Sequence, residues 1–283
     1  MSDELHSQVD DPAGESERPG RLALISRVAV DVTPLRSSKD FRRLWFGTGI
    51  SAIGSAVTVV AIPAIWLLKP VPASGEAERP GLRSVLEGLR YVRTQPALLG
   101  TFAVDTNAMI FGMPSALFPA FAEELGGGAR TVGLLYSAPY AGALAASLLS
   151  GWVGHVRRQG LGVFMAAGLW GVAIALFGLA DSVWLALLML AAAGAADFVS
   201  AVLRSSILLA ATPDAMRGRL SGIELAQVAS APMLGNVEAG VVASLTSVRF
   251  SVVSGGVACV AGTLAIALAF PALLRYDARK ARA

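Results

Sequence analysis

The stretch that decides the fold class is 183-VWLALLMLAAAGAADFVSAVL-203, a run of 21 residues with one ionisable side chain, Asp197. A helix needs about 20 consecutive apolar residues to cross the hydrocarbon core of a bilayer. The small residues at 191–196 allow neighbouring helices to come close. The stretch therefore predicts a membrane-spanning helix packed inside a helical bundle.

Similar runs recur along the chain, and the composition of the whole sequence agrees with them. The chain of 283 residues is 54% hydrophobic and only 15% charged, whereas soluble domains have roughly 25% charged residues. We therefore predict an all-α polytopic membrane protein whose partner is the lipid bilayer. The other predicted spans lie near 44–68, 97–121, 131–153, 161–180 and 252–273, with a less apolar seventh at 220–244.

Basic residues sort to one side of the last six predicted spans. After residue 96, the inferred outer loops hold only Arg130 and Arg249. Lys and Arg are enriched in cytoplasmic loops, so the pattern places both ends of this unit in the cytoplasm and gives no reason to expect nucleic-acid binding. The 14 basic residues on the inner side are Lys69, Arg79, Arg83, Arg90, Arg93, Arg157, Arg158, Arg204, Arg217, Arg219, Arg275, Arg279, Lys280 and Arg282.

The first predicted helix, within 41–68, conflicts with this topology. Basic residues flank it on both sides, with Arg42 and Arg43 before it and the linker 69–96 after it. One crossing cannot place both flanks in the cytoplasm. Either this helix does not cross the membrane, or segments that belong between it and the linker are absent.

The segments around the spans are polar. Residues 1–40 predict a disordered tail, and their acidic start argues against a signal peptide. In the linker, Leu82, Val85, Leu86 and Leu89 share one face of a short amphipathic helix over 82–93. Such a helix suits the inner membrane surface, and a solvated linker helix is the alternative. Residues 274–283 form a basic tail.

Five segments resemble the major facilitator superfamily, in the bacterial branch that includes the enterobactin exporter and related drug exporters. They stand in the family's order along the chain. They are 37-SSKDFRRLWFGTGISAIGSAVTVVAIPAIWLL-68, 82-LRSVLEGLRYVRTQPALLG-100, 211-ATPDAMRGRLSG-222, 235-GNVEAG-240 and 251-SVVSGG-256.

The resemblance implies the first helix of a twelve-helix transporter joined to its C-terminal six-helix half, over residues 97–273. Helices two to six would then be missing at 68–81, which would explain the two cytoplasmic flanks. It also implies a multi-pass protein of the bacterial cytoplasmic membrane. In the full-length relative, protons and a small amphiphilic solute such as a siderophore or drug are the partners. The family's loop signature would fall at 151-GWVGHVRRQG-160, where only Arg157 and Arg158 keep its basic character.

Polar residues inside the spans are candidates for function, because a charge in hydrocarbon costs several kcal/mol unless it faces a cavity or a partner. The structural or gating candidates are basic residues at the inner ends of the helices: Arg157, Arg158, Arg204, Arg217 and Arg219. The candidates for binding solute or protons are Asp105, Asn107, Asp197, Glu238, Tyr136 and Tyr140.

The acidic candidates each allow two interpretations. Asp105 is either a proton- or cation-binding carboxylate of a transport cavity, or a structural carboxylate hydrogen-bonded near its helix end or paired with a base. Asp197 precedes Arg204 by two helical turns, about 10 Å along the axis, which is too far for a direct bridge. It either lines the cavity or holds Arg204 through another helix. Glu238 matches an acidic position of the resembling branch, or packs near Gly235 and Gly240.

Tyr136 and Tyr140, four residues apart, share a helix face. They either stack on an aromatic solute or pack at the interface or in the core. Cys259 has no partner for a disulfide, and His6 and His155 form no metal pattern. No nucleophile–base set is present in the sequence, so we predict neither an enzyme nor a metal or cofactor site.

Three functional hypotheses follow. The first is a truncated transporter with impaired or no transport. The second is a membrane scaffold or a half-transporter that forms homodimers. The third, a seven-helix receptor or pump, is disfavoured because 252–273 has no lysine for a retinal Schiff base.

Overall fold

The computed structural model describes residues 82–277; the predicted first helix, the junction at 68–81 and the end of the basic tail lie outside them. Within this range the chain forms helices and no strand, which confirms the all-α prediction. Two short 3-10 helices, Ser115–Leu117 and Ser150–His155, join α-helices. The α-helices are α1 (Leu82–Thr94), α2 (Pro96–Phe111), α3 (Phe118–Glu124), α4 (Ala129–Leu148), α5 (Gln159–Gly178), α6 (Val183–Ala211), α7 (Asp214–Leu245), α8 (Val248–Ala269) and α9 (Pro271–Leu274).

Four of these helices, α5 to α8, are long and apolar enough to cross a membrane, by length and composition. The stretch quoted first begins α6, where the side chain of Ser182 accepts a hydrogen bond from the backbone N–H of Leu185. This cap satisfies one of the free N–H groups of the first turn. The least apolar predicted span is also one continuous helix, α7, although it contains Pro232.

The helices pack side by side as a bundle: α6 contacts α4 and α5, α8 contacts α5, α2 and α7, and α2 also contacts α7. Small residues make the closest of these contacts. A Cβ added at Gly194 of α6 would overlap the carbonyl oxygen of Pro139 in α4, and one at Gly142 would overlap that of Ala191. The predicted role of the small residues in close helix packing fits this geometry.

The single span predicted for 97–121 is broken in the structure. Helix α2 ends at Phe111, and a 3-10 turn at Ser115–Leu117 leads into α3. Pro114 lies in the break, where it disfavours helical geometry at the preceding residue. The side-chain oxygen of Asn236 in α7 accepts hydrogen bonds from the Ser115 hydroxyl (3.0 Å) and the Ala116 N–H (2.9 Å). The break is therefore held by polar contacts with a distant helix.

One arginine joins three segments of the chain at the same end of the bundle as the α2–α3 break. Arg249, in the first turn of α8, lies 3.1 Å from a carboxylate oxygen of Glu124 and 2.9 Å from one of Asp181. Its guanidinium also lies 5.5 Å from the centre of the Phe121 ring. These contacts, the Arg249 clamp, tie the end of α3 and the α5–α6 connection to the start of α8.

Helix α1 docks at the opposite end of the bundle. The Tyr91 hydroxyl donates to the carbonyl of Ala211 at 3.0 Å, and Glu87 pairs with Arg219 of α7 at 3.0 Å. Val92 of α1 is buried against the bundle. By contrast, three residues of the predicted apolar stripe are exposed: Val85, Leu86 and Leu89. The face that packs on the bundle is thus a different one from the face that would meet a membrane surface.

Candidate functional site

An ion pair between two helices lies in the interior of the bundle. Arg204 of α6 approaches Asp105 of α2, with 2.7 Å between guanidinium nitrogen and carboxylate oxygen, and their side chains are 12% and 7% exposed. Arg204 also donates to the hydroxyl of Ser200, one turn earlier, at 2.9 Å. Of the two interpretations of Asp105, the geometry matches the carboxylate paired with a base.

A third helix completes this network. The side-chain amide of Gln227 in α7 donates to the other carboxylate oxygen of Asp105 at 3.1 Å and to the carbonyl of Phe102 at 3.2 Å. Glu224, one turn earlier on α7, lines a recess of about 10 Å³ beside the ion pair. The recess is about the size of one water molecule. The network thus joins α2, α6 and α7 and keeps a second carboxylate close to Arg204.

Asn107 faces away from this network, although it is only two residues from Asp105. Two residues turn about 200° around a helix, so the two side chains point to opposite sides of α2. The amide of Asn107 donates to the carbonyl of Cys259 at 2.8 Å and contacts the hydroxyl of Thr263 at 3.3 Å, both in α8. The structure therefore places Asn107 in a buried α2–α8 contact and separates it from Asp105.

A cavity of about 240 Å³ lies between the α2–α3 break and helices α4, α5 and α6. Three sequence-predicted candidates line it together: Asp197 of α6 with Tyr136 and Tyr140 of α4. Phe118 and Trp170 add further aromatic surface. We call this space the aromatic cavity.

Asp197 lines the aromatic cavity as an exposed residue of α6. No hydrogen bond or ion pair to it occurs among residues 82–277. Arg204, two turns along α6, is engaged with Asp105. The geometry matches the interpretation of Asp197 as a cavity residue and gives Arg204 a different partner.

The two tyrosines have different roles at the cavity wall. The Tyr136 hydroxyl donates to the carbonyl of Ser115 at 3.0 Å, and its ring meets Phe118 edge-on at 5.1 Å. Tyr140 is 62% exposed and its hydroxyl makes no hydrogen bond within the described range. Tyr136 thus supports the α2–α3 break, while Tyr140 is free to contact a molecule in the cavity.

The aromatic cavity depends on a glycine at the end of α2. A Cβ at Gly112 would overlap the indole nitrogen of Trp170, so the absence of a side chain makes room for the ring. That nitrogen is buried and has no hydrogen-bond acceptor within residues 82–277.

Comparison with known proteins identifies the family that carries this site. Residues 100–283, more than half of the chain, match the family model described as Major Facilitator Superfamily. The chain belongs to the major facilitator superfamily.

Two curated relatives of this superfamily member illustrate the similarity. The enterobactin exporter EntS of Shigella flexneri is 31% identical over 208 residues, which cover 73% of this chain and 48% of the exporter. The enterobactin exporter EntS of Escherichia coli O81 (strain ED1a) is 30% identical over 208 residues, with 73% and 49% covered. The resemblance found in the sequence is confirmed, and the chain spans about half the length of these relatives. No solved structure matches it.

Glu238, the remaining acidic candidate, is half-buried on α7. No hydrogen bond or ion pair to it occurs within the described range. Its neighbour Gly235 is a packing residue, because a Cβ there would overlap backbone oxygens of Met109 and Ile110 in α2. Gly240, in contrast, faces open space. The packing interpretation therefore fits Gly235, whereas Glu238 itself is a carboxylate with no partner among residues 82–277.

Four of the predicted gating residues lie at the end of the bundle where α1 docks: Arg157, Arg158, Arg217 and Arg219. Arg157 and Arg158 are exposed before α5. Arg217 pairs with Asp214 at 2.7 Å on the surface, whereas Arg219 holds α1 through Glu87. Arg217 and Arg219 thus make local contacts in the described range, and the gating role of all these residues stays a prediction.

The residues that sequence reasoning missed are those whose partners are far away in the chain. Gln227, Asn236 and Arg249 are not among the sequence-predicted site residues, yet each bonds to a segment more than 100 residues away. Their polar character within or beside apolar runs was the available signal. No group of three His, Cys, Asp or Glu residues able to hold a metal occurs within residues 82–277.

Proposed function

We propose that this protein is a truncated efflux transporter of the major facilitator type. In its full-length form it would export a small amphiphilic solute, such as a siderophore or drug, in exchange for protons. The similarity over 208 residues to proteins named as enterobactin exporters carries this proposal. The aromatic cavity and the membrane carboxylates supply the kinds of group that solute and proton binding require. A transporter family also favours transport over catalysis.

Asp105 is the carboxylate we propose for proton coupling. Its two oxygens accept from Arg204 and Gln227 on two other helices. A proton on Asp105 would remove the charge that holds Arg204. The guanidinium could then turn toward Glu224, which borders the same recess. Protonation would thereby change the contacts among α2, α6 and α7.

We propose impaired transport because most of the transporter's N-terminal half, helices two to six, would be missing. Alternating access in this type of transporter requires two halves that rock around a site between them. Helix α7 carries the polar residues Glu224, Gln227 and Glu238, yet only 17% of its most apolar stretch is buried within the described bundle. An exposed helix surface that holds ionisable residues is suited to a water-filled cavity or to contact with another protein segment. We propose that it once faced helices two to six.

Reconstitution into liposomes tests this proposal. With an imposed proton gradient, we expect the chain to bind ethidium or enterobactin but to transport neither, because one half cannot alternate. Full-length EntS from Shigella flexneri serves as the positive control and empty liposomes as the blank. Proton-driven transport by the chain would show that impairment is wrong. Failure to bind either solute would contradict the assignment to efflux.

A homodimer or membrane scaffold is the second candidate, and the exposure of α7 favours it. Large apolar side chains on this helix, including Leu225, Met233 and Leu245, are at least 70% exposed. A second copy could cover this face together with its polar residues. Native mass spectrometry in mild detergent should then show a dimer, and a spectrum with monomer alone would contradict this alternative.

The orientation is also part of the proposal. We place the protein in the bacterial inner membrane as a multi-pass protein with its C-terminus in the cytoplasm. Arg158, Arg219 and Arg275 lie at the end of the bundle where α1 docks, and Arg249 lies at the other end. The positive-inside rule then assigns the first end to the cytoplasm.

A further inference from the structure

Away from their ends, the described long helices carry more acidic than basic side chains. Away from the helix ends, α2 to α8 hold four carboxylates, on Asp105, Asp197, Glu224 and Glu238, and one guanidinium, on Arg204. That guanidinium is bound to Asp105. The balance within the described helices therefore favours a positively charged ligand over an anion.

The aromatic cavity concentrates this imbalance beside aromatic rings. Asp197 contributes a carboxylate that has no hydrogen bond or ion pair among residues 82–277, and Tyr136, Tyr140 and Phe118 contribute ring surface. Aromatic faces attract quaternary ammonium groups, and the attraction grows when water is excluded. A carboxylate next to aromatic walls is thus complementary to a cation that also has an aromatic or apolar part.

We propose that the aromatic cavity binds an aromatic organic cation. Asp197 pairs with the positive charge, and Tyr140 stacks on the aromatic part while Tyr136 keeps the wall in place through Ser115. The volume of about 240 Å³ is below the usual 300–1,000 Å³ of drug-sized pockets. It suits one ring with a compact ammonium group, either alone or as part of a larger solute. This inference deepens the proposed function, since it names the charge class of the solute.

The same geometry argues against an anionic solute at this position. An anion would lie beside the carboxylate of Asp197, and like charges in contact repel each other and weaken binding.

Equilibrium dialysis of the purified full chain in detergent tests the inference. The probe is benzyltrimethylammonium, whose charge does not depend on pH, and the matched anion is benzenesulfonate. We expect the cation to bind and the anion to bind at least tenfold more weakly. Asp197→Asn should weaken cation binding about tenfold, which corresponds to the loss of one charge contact, and Asp197→Glu should retain most of it. Tyr140→Leu should also weaken binding.

The control is Asp214→Asn, which removes a surface carboxylate away from the cavity and should leave binding unchanged. Equal binding by the wild type and Asp197→Asn, or equal binding of cation and anion, would overturn the inference. Circular dichroism of each variant checks that the helices are intact. If Asp197→Asn does not fold, the comparison of cation with anion on the wild type and the loss of cation binding by Tyr140→Leu keep the test valid. If the cation does not bind in this assay, the inference about the aromatic cavity is wrong. The reconstitution experiment with ethidium and enterobactin tests the efflux proposal separately.

Discussion

Arg204→Met is expected to lower the free energy of unfolding by about 3–5 kcal/mol, because removing one partner leaves a buried charge without compensation. Methionine is an unbranched apolar side chain of similar length, so the substitution fills the same space but removes the 2.7 Å contact with Asp105. Gln227 alone would then donate to that carboxylate. A thermal unfolding scan of the purified protein in detergent should show a large fall in Tm.

Two further variants separate the charge effect from a packing effect. The double variant Asp105→Asn with Arg204→Met should recover much of the lost stability, since it leaves no unpaired charge. Arg217→Met removes an exposed arginine from the same end of the bundle and should change stability by less than about 1 kcal/mol. If Arg204→Met were no more harmful than Arg217→Met, the interior ion pair would not stabilise the bundle.

Gly194→Ala is expected to destabilise the protein by about 1–3 kcal/mol, the usual range for overpacking. A Cβ at this position would overlap the backbone of Pro139, which cannot move aside as a flexible side chain could. Helices α4 and α6 would therefore have to separate. Because Tyr140 and Asp197 are carried by these two helices, binding in the aromatic cavity should weaken as well. Thermal unfolding and the dialysis measurement would follow both effects.

Gly168→Ala is the matched control for this glycine. Gly168 lies inside α5, and a Cβ there would meet nothing within 4 Å. Alanine favours a helix over glycine by up to about 1 kcal/mol, so this variant should be as stable as the wild type or more stable. Equal stability of the two alanine variants would mean that the α4–α6 contact tolerates a side chain at residue 194.

The helices could be predicted from the sequence because their signals are local. The run at 183–203 and the cap at Ser182 are adjacent in sequence, and the small residues at 191–196 indicated close packing before any neighbour was known. The break after α2 is a different case. Gly112 and Pro114 were visible in the apolar run, but the groups that stabilise the broken geometry come from Asn236 and Tyr136 on other helices.

The site could be predicted only residue by residue. Asp105 was expected to bind a proton or pair with a base, and nothing local identified Arg204 as that base. Tyr136 and Tyr140 were expected to share a face, and Asp197 was a separate candidate on α6. Their meeting in one cavity depends on how closely α4 and α6 cross, which is set by backbone contacts at Gly194 and Gly142. Sequence spacing does not contain that distance.

The Arg249 clamp has a consequence for how the protein is made. Glu124, Asp181 and Arg249 occur in this order along the chain, so the ribosome produces the two acceptors long before the donor. Until α8 emerges, the end of α3 and the α5–α6 connection have no guanidinium to join them. The contact therefore cannot form before residue 249 has been synthesised. In a nascent chain that stops before residue 249, the end of α3 and the α5–α6 connection are not yet joined to the start of α8.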